Sequence, residues 1–191
     1  MEEKKRCRWC NLKNPLYVAY HDEEWGVLNT DEHYLYEMLI LESFQAGLSW
    51  ECVLNKRENF RAAYANFDID MVCAFDEAKV QELLSNPGLI RNRLKVRASI
   101  KNSGIFRDIT QEFGSFFNYL TSFQPALGMA AGSVLVENDK TTNALSDAIS
   151  ADLYKRGMRF VGSTIIYSYL QAIGLVNSHD EGCGWKKVDE G

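Results

Sequence analysis

The sequence predicts an all-α fold, and three observations carry that expectation. Apolar residues recur at helical spacing through most of the 191 residues, only three prolines interrupt them, and no apolar–polar alternation lasts long enough for a strand. Residues 30–42, TDEHYLYEMLILE, place Thr30 as an N-cap before Leu35, Met38 and Leu39. Residues 49–64, SWECVLNKRENFRAAY, repeat the pattern behind Ser49, with Trp50, Val53, Leu54, Arg57, Phe60 and Tyr64 in register. A short helix over 76–84 is capped by Asp76, and a longer one over 89–104 extends toward 112. Residues 115–122 form a short helix after Gly114, and 125–140 read as a loop without periodicity. Two further helices, 142–157 behind a threonine cap and 163–174, stop at Gly157 and Gly174.

The 46% hydrophobic and 25% charged residues suit one globular domain over 1–191, with room for two helical lobes. There is no apolar run of membrane-spanning length, and the charged start MEEKKRCRWC is not a signal peptide, so the expected compartment is the cytoplasm and a membrane role is not expected. A net charge of −5 argues against a strongly basic nucleic-acid binder but leaves room for a local basic patch. Five cysteines cannot all pair within one chain. Cys52 and Cys73 fall in apolar helical patterns and read as buried thiols. Cys7, Cys10 and Cys183 lie near the ends, where in a cytosolic protein they read as ligands sooner than disulfides.

Three groups of residues can carry chemistry. His179 and Cys183 stand four apart in NSHDEGC, one turn if that segment is helical. With Cys7 or Cys10 and His21 they make a Cys2His2 set, the kind zinc takes in closed structural sites, here tying the two chain ends together. The bland reading is unrelated polar residues at the termini.

Glu42 is the second feature. It follows Leu35, Met38 and Leu39 at i+7, i+4 and i+3, so it belongs to the buried stripe. A buried carboxylate needs either a structural partner or a ligand. Trp9, Tyr17, Tyr20, Trp25 and Trp50 all occur within the first 50 residues, and aromatic faces beside a carboxylate suit a flat cationic ligand. Each alone reads equally as core.

The third is SNPGLIRNRLKVR, residues 85–97. Helix, Pro-Gly turn and helix read as a helix-hairpin-helix, with Arg91, Arg93, Lys95 and Arg97 facing out and Ile90, Leu94 and Ala98 facing in. Free N–H groups at that helix start and these cations can hold a phosphate; the bland alternative is a solvated basic face.

Together, YVAYHDEEWG (17–26), ESFQAGLSW (42–50), LNKRENFRAAY (54–64), RFVGSTIIYSYLQAIGLVNSH (159–179) and the terminal His/Cys pair closely resemble the DNA-3-methyladenine glycosylase I family. These are base-excision repair enzymes of the helix-hairpin-helix superfamily, and the resemblance runs in order over essentially the whole chain. It implies an all-α glycosylase-like domain with a structural Zn2+ held by Cys7, His21, His179 and Cys183, stapling the termini. Cys7-Arg8-Trp9 matches the family's Cys-x-Trp, although one extra residue follows and Cys10 is a second candidate.

The same resemblance makes Glu42, Tyr20 and Trp50 the residues that recognise the methylated base and carry the reaction. Trp9, Tyr17 and Trp25 surround them, and Gln45, Gly47 and Leu48 belong to the loop that enters the DNA, with Leu48 as its wedge. Phe44 stands where the family carries a polar residue, and Ile90 where a second hairpin glycine often sits. Gly88, Arg91, Arg93 and Lys95 are the implied backbone contacts. The implied substrate is alkylated double-stranded DNA. The products are free 3-methyladenine and an abasic site, from a monomeric, monofunctional enzyme without lyase activity. The alternatives are a non-catalytic zinc-containing helix-hairpin-helix DNA-binding protein and a zinc-stabilised sensor of a small cationic heterocycle.

Overall fold

The computed structural model describes residues 4–186. Among these, ten α-helices form the body and one two-stranded ladder closes it. The all-α expectation holds. Helix α1 (Pro15–Ala19) starts with a proline at a position where a missing N–H is harmless, and it runs into a single π turn over Tyr20–Glu24. Helix α2 (Glu32–Gln45) is the central element. Every residue from Leu35 to Phe44 is buried, so the helix is enclosed on all sides rather than half-exposed, and α3, α7, α8 and α10 pack around it. Its cap is Asp31, which accepts from the Tyr34 N–H, one residue later than the expected Thr30.

The expected helix over 49–64 is two helices, α3 (Trp50–Leu54) behind Ser49 and α4 (Arg57–Ala63), broken at Asn55–Lys56. Helix α5 (Ile69–Cys73) was not anticipated. Asp76 caps α6 (Glu77–Ser85) as read, and α8 (Phe116–Thr121) lies within the expected 115–122 with Ser115 as its cap. Helix α7 (Arg93–Phe113) begins four residues later than 89, because Asn92 caps it and accepts from the Leu94 and Lys95 N–H groups. Helix α9 (Ala144–Arg156) opens with a capping box made by Asn143 and Ser146, not with a threonine. It closes at Gly157, and α10 (Ser163–Ala172) leads to Gly174. Gly174 has φ +76°, and a Cβ there would sit 2.2 Å from the Leu28 nitrogen, so only glycine lets the chain pass.

The loop at 125–140 is more ordered than its sequence suggests. A 3-10 turn spans Pro125–Leu127, and β1 (Leu135–Val136) pairs in parallel with β2 (Val176–Asn177). That ladder fixes residues 137–140 beside His179 and one wall of the cavity described next.

Candidate active site and metal centre

Two side chains of α2 show opposite electrostatics five residues apart. Glu37 is buried, but its carboxylate accepts from Arg57 Nε and Arg61 Nε, both at 2.8 Å. Burial alone would raise its pKa; the two guanidiniums outweigh that and hold it below the usual carboxylate range. Glu42 is only 2% exposed and its Oε2 has no partner. Burial therefore pushes its pKa well above that of a free glutamate. Glu37 thus has the structural partner a buried carboxylate needs, and Glu42 Oε2 has none.

Glu42 faces a cavity of about 540 Å³ whose lining includes Trp9, Tyr17, Tyr20, Trp25, Gln45 and Trp50. Each comes from a different local device. The turn before α1 supplies Trp9, α1 and the π turn supply Tyr17 and Tyr20, and the end of α2 supplies Gln45. Trp50 opens α3 behind its serine cap. The rings brace one another: Trp9 lies 5.3 Å from Tyr17 and 4.7 Å from Trp25, and Tyr20 lies 5.3 Å from Trp50. Burial raises the pKa of both tyrosines, Tyr17 to about 12, with Glu51 adding to it there and Glu42 at Tyr20, so both phenols stay protonated. Among the described residues, the buried side-chain polar atoms without a partner are Glu42 Oε2, Gln45 Oε1 and Trp50 Nε1. All three residues line this cavity. Such atoms are costly when left unpaired, and their convergence marks a place built to hydrogen-bond a ligand.

Beside the cavity, Gln45 O accepts from the Leu48 N–H at 2.6 Å and Gly47 turns with φ +76°. Leu48 stands 41% exposed at the tip. Phe44 lies elsewhere: it is buried against Phe60 at 4.7 Å and is absent from the cavity wall. Its apolar side chain thus belongs to the core and does not alter the pocket edge.

The metal-capable residues meet as a buried group. One ligand atom from each of Cys7, His21, His179 and Cys183 lies within 4.8 Å of the others, and this cluster can hold a metal ion. Cys10 is not part of it; its sulfur lies 3.9 Å from the Tyr17 carbonyl. His179 and Cys183 are not on a helix. A turn closed by the Cys183 N–H to Asp180 O at 3.0 Å brings them together. His21 Nδ1 is engaged by Asp22 at 2.8 Å, and His179 Nε2 by the Trp25 carbonyl at 3.1 Å. Each ring therefore turns its other nitrogen to the cluster. Cys7 Sγ and Cys183 Sγ both stand 3.4 Å from His179 Nδ1. The centre buttresses the cavity, since Trp9 packs on His21 and Trp25 on His179. Trp185, unread in the sequence, packs edge-on against His21 and under the Arg6 guanidinium.

The hairpin departs from expectation in its phase. At the start of α7, Leu94 is 70% exposed, while Val96 and Ser99 are buried. Lys95, expected to face out, is 7% exposed, and its ammonium donates to Phe44 O at 2.8 Å and Ala46 O at 2.5 Å. It is an internal tie rather than a free surface cation. The helix-start N–H groups of Leu94 and Lys95 are likewise taken by Asn92. Arg91 and Arg93 are exposed, and Glu77 pairs with Arg97 at 2.7 Å and with Arg93 at 3.8 Å. Gly88 forms the turn against Asn86 and Asn59, where a Cβ would come within 3.0 Å of both.

Sequence reasoning missed Ser168 and Gln171 of α10, and Arg8, Asp139, Lys140 and Asp180, all on the cavity wall. A glutamine on an otherwise apolar helix was the signal available for Gln171. Asp139, Lys140 and Asp180 follow the strands of the β1–β2 ladder, which has no sequence period, and Arg8 is held there by Asp180.

The methyladenine glycosylase family model matches residues 9–187. DNA-3-methyladenine glycosylase 1 of Escherichia coli is 44% identical over 179 residues, 94% of this chain and 95% of that protein. DNA-3-methyladenine glycosylase of Haemophilus influenzae is 34% identical over 181 residues, 95% of this chain and 97% of that protein. A crystal structure of 3-methyladenine DNA glycosylase I superposes with a TM-score of 0.86 at 44% identity, covering 94% of this chain and 98% of that one. The Staphylococcus aureus enzyme, solved to explain its recognition of 3-methyladenine, superposes with a TM-score of 0.87 at 28% identity, covering 96% and 99%. With this agreement over nearly the full length, the chain belongs to the methyladenine glycosylase family.

Proposed function

We propose that this protein hydrolyses the N-glycosidic bond of N3-methyladenine in alkylated duplex DNA, releasing the free base and leaving an abasic site. The observation that carries this reading is the convergence of unpartnered Glu42, Gln45 and Trp50 atoms in an aromatic cavity. A non-catalytic DNA-binding module has no use for them.

Methylation at N3 makes the adenine cationic. A carboxyl group and aromatic faces favour such a base over neutral adenine. Glu42 accepts from the adenine edge, Trp50 and Tyr20 pack on the ring, and Trp9, Tyr17 and Trp25 close the remaining walls. Turning the nucleotide out of the stack costs roughly a few kcal/mol, and Leu48 fills the gap it leaves. When the C1′–N9 bond breaks, its electron pair neutralises the departing base and an oxocarbenium-like sugar remains. Water adds to C1′ and gives up a proton. The stretch Arg93–Gly104 contains no acid to act as a general base, and the charged leaving group lowers the need for one. Among the described residues that line the cavity the one lysine is Lys140, and its ammonium pairs with Glu137 at 2.9 Å, which supports a reaction without a strand-cutting Schiff base. The exposed Arg91 and Arg93, with the Gly88 turn, supply contacts to the DNA backbone.

Zinc suits the Cys7, His21, His179 and Cys183 donor set. A tetrahedron with ordinary zinc–sulfur and zinc–nitrogen bonds has a sulfur–nitrogen edge of roughly 3.5 Å. Three such edges here measure 3.4, 3.4 and 3.6 Å. Four protein ligands leave no open position, so the role is structural: it clamps the termini behind Trp9 and Trp25.

Glu42→Gln and Glu42→Ala test the assignment. Both should fold and lose base release by on the order of 100-fold, the size expected when one preorganised electrostatic partner is removed. Near-parental release by both variants would refute it.

A further inference from the structure

The last carbonyls of a helix have no partner within it, and at the end of α2 these lie beside Gln45 and the loop bearing Leu48. One is used by the Leu48 N–H, on Gln45 O. Phe44 O and the adjacent Ala46 O both accept from Lys95 Nζ. Lys95 comes from the first turn of α7, two residues after Arg93 and four after Arg91. It spans two elements far apart in sequence, and its ammonium is buried where they meet. Phe160 covers the junction. Its ring centroid lies 5.9 Å from Lys95 Nζ, and its backbone sits at φ +58°, a region an aromatic residue seldom enters.

We propose that Lys95 is a positioning residue. Through the carbonyls of Phe44 and Ala46 it fixes the Gln45–Leu48 loop to the turn that grips the DNA backbone, and so sets how Leu48 and Gln45 meet the lesion. This rests on the base-excision reading above. Lys95 touches neither base nor phosphate. It makes the grip on the strand and the entry of the loop one rigid unit, so that backbone contact delivers the base to Glu42 at a fixed distance.

The test compares the parent with Lys95→Met and Lys95→Gln. Single-turnover release of 3-methyladenine from duplex DNA is measured at enzyme excess. Binding of free 3-methyladenine is followed by tryptophan fluorescence, and thermal unfolding is recorded for each variant. Affinity for a duplex carrying a tetrahydrofuran abasic analogue is measured against salt. Lys95→Met should slow release by on the order of 100-fold, the effect of a misplacement of about 1 Å at a reacting centre. It should bind the free base as the parent does and keep the parent's salt slope. Lys95→Gln, which can still donate to one carbonyl, should fall between the two. Arg93→Met is the contrast, losing about 0.9 from the log–log salt slope for one phosphate.

A slope reduced by that amount in either Lys95 variant means the lysine contacts phosphate, and overturns the proposal. So does release at the parental rate. Parallel loss of free-base binding also overturns it, because the role would then be general support of the fold. If Lys95→Met does not fold, Lys95→Gln carries the same three criteria. A parent that releases no base would instead refute the reading on which this inference rests, which the parent assay alone reveals.

Discussion

Replacing Glu42 by glutamine should make the free protein more stable, by an amount that grows with pH. The Glu42 carboxyl is buried without a partner, so the folded chain keeps a proton that the unfolded chain releases near pH 4.3. The sign follows from that difference. Below the unfolded pKa both states are protonated and Glu42 contributes nothing. As pH rises toward the raised folded pKa, the unfolded state gains from ionising and the native state does not. The parent then loses about 1.4 kcal/mol per pH unit, and above the folded pKa the loss levels off. Glutamine has no proton to hold, so the variant escapes this slope. For a chain of this size, 1 kcal/mol moves Tm by roughly 2–4 °C. The gap in Tm between Glu42→Gln and parent should therefore widen by about 3–6 °C for each pH unit above about pH 4.5 until the plateau. Paired thermal scans from pH 4 to 8 measure it. The ligand arm runs the other way, since 3-methyladenine at 100 times its Kd should add about 2.7 kcal/mol to the parent and far less to the variant. A gap that stays flat with pH, or a variant less stable at every pH, would show that Glu42 is ionised and partnered in the free protein.

Glu37→Gln, on the same helix, should show the opposite trend. Its carboxylate is held below the usual range by Arg57 and Arg61, so its stabilisation is present above the unfolded pKa and lost as pH falls through the folded one. The variant should be destabilised by about 3 kcal/mol or more at pH 7, with the deficit shrinking in acid, as urea titrations at several pH values would record. Cys183→Ser should lower zinc per chain by elemental analysis and drop Tm by several degrees; full zinc occupancy would contradict the staple. Leu48→Ala should slow release from duplex by about 10-fold, from the apolar contact removed, while free-base binding by fluorescence stays parental. Borohydride should trap no covalent enzyme–DNA adduct, and a shifted band on a denaturing gel would show that Lys140 or another amine attacks the sugar.

The parts of the fold legible in the sequence are those with local causes. Ser49 and Asp76 cap helices because a short polar side chain before an apolar run satisfies a free N–H. Glu42 was placed on a buried face by spacing alone. What spacing could not show is that Glu37 would take the arginines and leave Glu42 bare, since Arg57 and Arg61 arrive from α4 through the tertiary fold. Apolar spacing puts Ile90, Leu94 and Ala98 inward and therefore Lys95 outward, but the buried face of α7 runs through Val96, Ser99, Ser103 and Phe106, with Lys95 beside it. The β1–β2 ladder, two residues per strand, is too short to show a period. The metal cluster was read from residue types and the family resemblance, but the pairing of His179 with Cys183 comes from a turn rather than a helix.

The central claim is tested most directly by incubating the protein with methylated duplex DNA and chromatographing the bases released. Guanine presents a carbonyl where adenine presents an amino donor, which the Glu42 acceptor disfavours. The account predicts release of 3-methyladenine with little 7-methylguanine. No release from folded, zinc-loaded protein would contradict it and leave the non-catalytic DNA-binding reading in its place.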